Sequence, residues 1–150
     1  MTALATAIQE SRWLGPAALA VHLSGVALLL GTIAVVDLRL LGLWRHKPVR
    51  RLSARLLPWS AASFALIVPA GLLMFVAHAD ELIDSSVFVL KMGLILAAGV
   101  NAAVFHAGAY RGASAWDVGV MPPPAARLAG ALSLALWVAV VVCGASLPEH

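Results

Sequence analysis

The chain has 150 residues, of which 62% are hydrophobic and 11% charged, and its mean hydropathy is +0.95. Soluble domains carry about 25% charged residues, so this composition excludes a soluble protein and predicts a single transmembrane domain over residues 1–150. The formal net charge of +3 does not suggest a nucleic-acid partner, because the cations lie mostly in one short loop that membrane topology explains. The single cysteine, Cys143, excludes an internal disulfide and a cysteine-based metal cluster.

Four apolar stretches are long enough to cross a bilayer core, which takes about 20 helical residues. They cover roughly residues 16–43, 56–79, 87–109 and 125–147. Residues 1–14 carry apolar side chains on one side and polar ones on another, a pattern compatible with a short interfacial helix. Because the connections are short, we predict an all-α membrane protein, an antiparallel up-down bundle of four transmembrane helices.

The first two connections between these helices have opposite charge. The first contains five cations and no acid: Arg45, Lys47, Arg50, Arg51 and Arg55. The second contains three acids and no cation: Asp80, Glu81 and Asp84. The positive-inside rule places the first connection in the cytoplasm, which predicts a bacterial inner-membrane protein with both termini in the periplasm. The loop cations are also expected to contact anionic lipid.

An ionisable residue at membrane depth is a candidate functional residue, and His22 is the clearest case because it lies within the first apolar stretch. His78 and Lys91 fall on the same side of the membrane as His22 at similar depth. Histidines from two helices can supply the two axial nitrogens of haem b, and a nearby lysine can neutralise a propionate. We therefore predict a haem b site with His22 and His78 as metal ligands and Lys91 as a further cofactor contact.

Two alternatives to haem stay open for this outer layer. Imidazole also binds copper, for which Met74 and Cys143 could add sulfur donors. Each side chain also has a purely structural interpretation: His78 as an interfacial histidine, His22 as a hydrogen-bonding residue within the bundle, and Lys91 as a lysine that extends towards the interface.

A second polar layer is predicted near the cytoplasm. Asp37 and Arg39 are two residues apart, so they point to different sides of their helix and need partners on other helices. Asn101 matches Asp37 in depth, and His106 matches Arg39. The network is expected either to fix the bundle through interhelical hydrogen bonds or to serve as a proton path or a site for a quinone headgroup.

Several blocks of sequence resemble a family of small bacterial membrane proteins. They include His22-Leu23-Ser24-Gly25, Asp37-Leu38-Arg39-Leu40-Leu41-Gly42 and Ala115-Trp116-Asp117. The family is more loosely similar to CopD copper-resistance membrane proteins and to small membrane cytochromes b. The resemblance marks these polar positions as part of its pattern: His22, Asp37, Arg39, Lys91, Asn101, His106, Trp116 and Asp117. Two positions depart from it, since histidine is not expected at His78 and threonine is usual at Pro69.

Three functional hypotheses follow. The first is a haem b protein of electron transfer or redox sensing, which would exchange electrons with a redox partner or a quinone. The second is a CopD-like copper-handling protein, and the third a non-catalytic accessory subunit. No nucleophile–base arrangement or phosphate-binding loop is apparent in the sequence, which argues against hydrolytic and nucleotide chemistry. Whether the chain is an enzyme and whether it forms a homo-oligomer both stay open.

Overall fold

The computed structural model describes residues 3–147. Its helices are α1 (Ala3–Glu10), α2 (Leu14–Leu40), α3 (Val49–Ala77), α4 (Ala79–Ile83), α5 (Ser86–Ala107) and α6 (Pro124–Ala145), with a 3-10 helix over Ala109–Ala115. Four of them, α2, α3, α5 and α6, are long and apolar enough to cross a membrane. The predicted all-α four-helix membrane fold is confirmed, and α1 is the short helix expected before the first span.

The two helix ends at the first connection differ from the sequence prediction by three residues or more. Helix α3 begins at Val49, seven residues before the apolar stretch, directly after Pro48 in an extended conformation. Arginine is a good helix former, so Arg50, Arg51 and Arg55 are accommodated in α3 rather than in a loop. Helix α2 ends at Leu40, and Gly42 beyond it has a φ of +106°, a conformation that favours glycine.

The four long helices pack in the order α3–α2–α6–α5. Helix α2 lies between α3 and α6, and α5 packs on the other side of α6. Contacts between α2 and α3 run antiparallel, from His22 with Ile67 to Thr32 with Ser60. Within residues 3–147, α3 and α5 do not pack against each other, although the rings of Phe75 and Phe88 stack 5.5 Å apart where the helices are joined. The bundle is therefore open along the α3–α5 side.

The most buried apolar cluster lies at the end of the bundle that carries the basic connection, which we call the basic end. It brings together one or two residues from each neighbouring element: Leu40, Val49, Phe105, Ala113, Trp116 and Ala126. Elsewhere many apolar side chains face outward, for example Leu96 on α5 at 70% exposure and Leu128 on α6 at 68%. A bilayer covers such side chains, so the protein-buried core is concentrated at one end.

Candidate functional site

His22 is held against α3 near the opposite end of the bundle, which carries Asp80, Glu81 and Asp84 and which we call the acidic end. Its Nδ1 lies 3.1 Å from the carbonyl oxygen of Ile67. A carbonyl can only accept a hydrogen bond, so Nδ1 carries the proton and the neutral ring keeps its lone pair on Nε2. Gly71 makes this approach possible, because a Cβ there would lie 3.1 Å from the ring carbon Cε1.

Lys91 faces the same region from α5. Its ammonium group acts electrostatically on the His22 ring, and Cys143 of α6 is its other recorded electrostatic partner. A methyl group at Gly144 would lie 3.6 Å from Lys91 Nζ, so the ammonium group lies against α6. His22, Lys91 and Cys143 therefore lie in one region of the acidic end, on the three helices α2, α5 and α6.

His78 lies at the end of α3, beyond the point where that helix contacts His22. It caps the C-terminal end of α3, where its Nδ1 lies 3.2 Å from the carbonyl oxygen of Met74. His22 contacts α3 at Gly71, and the seven residues from Gly71 to His78 span about 10 Å of helix. His78 as the second axial ligand of a haem stays a prediction.

Arg39 organises the basic end. Its side chain has 0% exposure, and two of its nitrogens donate to backbone carbonyls of the connections. Nε donates to the Lys47 oxygen at 2.9 Å, and Nη2 donates to the Asp117 oxygen at 2.9 Å and to the Arg45 oxygen at 3.5 Å. Nη1 is buried without a partner among the described residues. One guanidinium group therefore ties the connection after α2 to the segment before α6.

Asp117 completes this arrangement from the other side. Its Oδ1 accepts a hydrogen bond from the backbone N–H of Arg50 at 2.9 Å, and its carbonyl oxygen accepts one from the N–H of Val49 at 3.1 Å. These bonds satisfy N–H groups in the first turn of α3, which otherwise have no partner inside the helix. Asp117 is thus both a cap for α3 and an acceptor for Arg39.

Asp37 lies on another side of α2 and faces α6. It is 4% exposed, and the side chain that interacts with its carboxyl group is Ser133. Its Oδ2 is buried and has no hydrogen-bond partner among residues 3–147. The helices meet closely here, because a Cβ at Gly130 would lie 2.9 Å from the Asp37 carbonyl oxygen.

The two remaining residues of the predicted inner network have other surroundings. Asn101 Nδ2 donates to the carbonyl oxygen of Ala129 at 2.9 Å and so joins α5 to α6. His106 is exposed, with its ring edge-on to Phe105 and to Tyr110 at centroid distances of 5.2 and 5.0 Å. Asp37, Arg39, Asn101 and His106 therefore contact Ser133, main-chain carbonyls or neighbouring aromatic rings rather than one another.

Sequence reasoning missed the partners more than the residues. It singled out His22, Arg39 and Asp37. Nothing in the amino-acid sequence indicates that the carbonyl of Ile67 is the partner of His22, or that of Lys47 the partner of Arg39. Every residue carries a carbonyl, so such an acceptor leaves no compositional signal. Only the packing shows what the glycines accommodate: the His22 ring at Gly71 and the Asp37 carbonyl at Gly130.

Comparison of the chain with protein families, with curated proteins and with solved structures finds no match.

Proposed function

We propose that this multi-pass membrane protein binds haem b at its acidic end, with His22 as the axial ligand, and acts in electron transfer or redox sensing. The protein would lie in a bacterial inner membrane. The basic end would face the cytoplasm and both termini the periplasm, following the charge of the connections. The electron partner would be a protein or a membrane quinone.

The hydrogen bond between His22 and Ile67 carries this proposal. Histidines that bind a metal usually donate their other ring N–H to a carbonyl or carboxylate, which fixes the tautomer and the ring orientation. His22 has this arrangement: Nδ1 donates to the Ile67 oxygen, and Nε2 keeps the lone pair that a metal needs. The ring is also supported on one side by Gly71.

Lys91 supports haem in particular. A haem carries two propionates, and a cation beside the ligand can neutralise one of them in a medium where an unpaired charge is costly. Lys91 comes from α5, across the open α3–α5 side from the helix that holds His22 in place. The residues fit a haem held by one protein nitrogen. When bound, haem would supply a reversible one-electron couple.

A copper-handling role is the second candidate, because Cys143 immediately precedes Gly144, the position of α6 that lies against Lys91. A thiolate and an imidazole are both good ligands for Cu(I). Among the described residues no group of three or more His, Cys, Asp or Glu side chains is placed to hold a metal, so copper would be bound by few protein ligands.

One preparation separates these possibilities. The protein purified in detergent, with and without added haemin, should show a Soret band that shifts when dithionite reduces it. His22→Ala should abolish the band, and a change of the band in His78→Ala would show that His78 supplies the second axial nitrogen. A preparation that stays colourless after haemin addition would contradict the haem proposal.

Metal analysis completes the experiment. Copper retained by the wild type and lost in both His22→Ala and Cys143→Ala would favour the second candidate. Retention of neither haem nor copper, together with co-purification of a larger complex, would favour an accessory subunit.

A further inference from the structure

We propose that Asp37 is a proton-binding site, a carboxyl group held in its neutral acid form within the membrane near the basic end. This site is separate from His22, which lies fifteen residues earlier on α2, about 22 Å along the helix axis. The inference does not depend on haem or copper.

The first observation is that the Asp37 carboxyl group is buried with one oxygen lacking a hydrogen bond. Asp37 has 4% exposure, and its Oδ2 has no hydrogen-bond partner among the described residues. An ionised carboxylate has about four sites that accept hydrogen bonds, and burying it with an oxygen unsatisfied is unfavourable. Addition of a proton removes the charge and with it most of that cost.

The second observation is the chemistry of the neighbours. The side chain that interacts with the Asp37 carboxyl is Ser133, a neutral hydroxyl that can donate to or accept from a carboxylic acid. The backbone of α6 closes the other approach, with Gly130 against the Asp37 carbonyl. The immediate surroundings therefore supply hydrogen-bonding capacity but no positive charge.

The cations of this end are directed elsewhere. Arg39, two residues along α2, uses Nε and Nη2 for the carbonyls of the connections. Of the other helices that pack against α2, α3 carries Arg50, Arg51 and Arg55 at this end and α6 carries Arg127, and all four side chains are exposed. Helix α1 lies at the acidic end. None of these groups is recorded as a partner of the Asp37 carboxyl group.

The position also allows exchange with water. Asp37 lies three residues before the end of α2, about 4.5 Å along the axis. A carboxyl group at this depth is shielded from bulk solvent but close to the aqueous phase beyond the basic connection. We infer that Asp37 takes its proton from that side, which the charge of the connections assigns to the cytoplasm.

Infrared spectroscopy tests the protonation state directly. In the full-length protein at neutral pH, we expect a C=O stretching band of a protonated carboxylic acid that shifts in D2O. Asp37→Asn should lose this band. Asp117→Asn, the matched control, should keep it, because the Asp117 carboxylate accepts a hydrogen bond from the Arg50 N–H at the edge of the bundle. Absence of a protonated-acid band in the wild type would overturn the proposal even if the variant failed to fold.

Thermal unfolding gives an independent readout. Asparagine has the shape of the neutral acid, so Asp37→Asn should keep the unfolding midpoint within about 2 °C of the wild type at neutral pH. A fall of the midpoint well beyond this range would indicate that the native group is an ionised carboxylate with a charged partner, which would overturn the proposal.

Discussion

The two ends of the bundle use polar residues in opposite ways. At the basic end, Arg39 is fully buried and three of its hydrogen bonds hold two connections together. At the acidic end, His22 is half-buried, makes one hydrogen bond and keeps a ring nitrogen available. A polar side chain whose donors bind main-chain carbonyls stabilises the fold, as Arg39 does. A side chain that keeps an unpaired acceptor, as His22 does at Nε2, is placed to bind a ligand.

The sharpest test of this contrast is Arg39→Ala. The substitution leaves three carbonyl oxygens without their charged donor and removes a fully buried side chain. We expect a loss of about 3 kcal/mol or more in the free energy of unfolding. Thermal unfolding in detergent, followed by circular dichroism, measures it.

The control for Arg39 is Arg45→Ala, which removes an exposed side chain but keeps the Arg45 carbonyl. It should change the free energy of unfolding by no more than about 0.5 kcal/mol. Equal effects of the two substitutions would show that the basic end is not held by the buried guanidinium.

The next largest effect is expected at the contact between α2 and α6. Gly130→Val places a branched side chain where even a Cβ would lie 2.9 Å from the Asp37 carbonyl oxygen and 3.0 Å from Leu40 Cβ. Separation of the helices should cost about 1–3 kcal/mol. Gly31→Val is the matched control, because no atom lies within 4 Å of a Cβ at that position, and its unfolding midpoint should match the wild type.

A smaller effect on stability is expected at the acidic end. His22→Ala removes one hydrogen bond of a half-buried side chain, which contributes about 1 kcal/mol within a membrane bundle. The same unfolding assay measures it, with Ser24→Ala as a control that removes an exposed hydroxyl bonded within its own helix. A loss as large as that of Arg39→Ala would remove the contrast between the ends and favour a structural role for His22.

The smallest effect is expected for Asn101→Ala, which removes the side-chain donor to the Ala129 carbonyl. Interhelical hydrogen bonds of this kind contribute about 0.6 kcal/mol on average. The exposed His106→Ala should cause no measurable change in the same assay. An effect of His106 larger than that of Asn101 would restore the inner network that the sequence suggested.

The sequence predicted which residues belong to the site, but not the atoms with which their side chains form hydrogen bonds. His22, Asp37 and Arg39 stood out because ionisable groups are rare in apolar stretches. Similar depths in the membrane suggested Asn101 as the partner of Asp37 and His106 as the partner of Arg39. Depth along a helix does not determine rotation about its axis, and the structure directs Asn101 to a backbone carbonyl of α6 instead.

The sequence by itself determined the membrane class, the four spans and the charge difference between the ends. Each of these depends on the free-energy cost of placing polar groups in lipid. That cost can be summed residue by residue along the chain. Only the tertiary structure decided that α3 and α5 stay apart, that Arg39 binds carbonyls, that His22 contacts α3 at Gly71, and that Asp37 has no cation beside it. These facts depend on helix rotation and on close contacts at Gly71 and Gly130, which are set by packing between segments far apart in the chain.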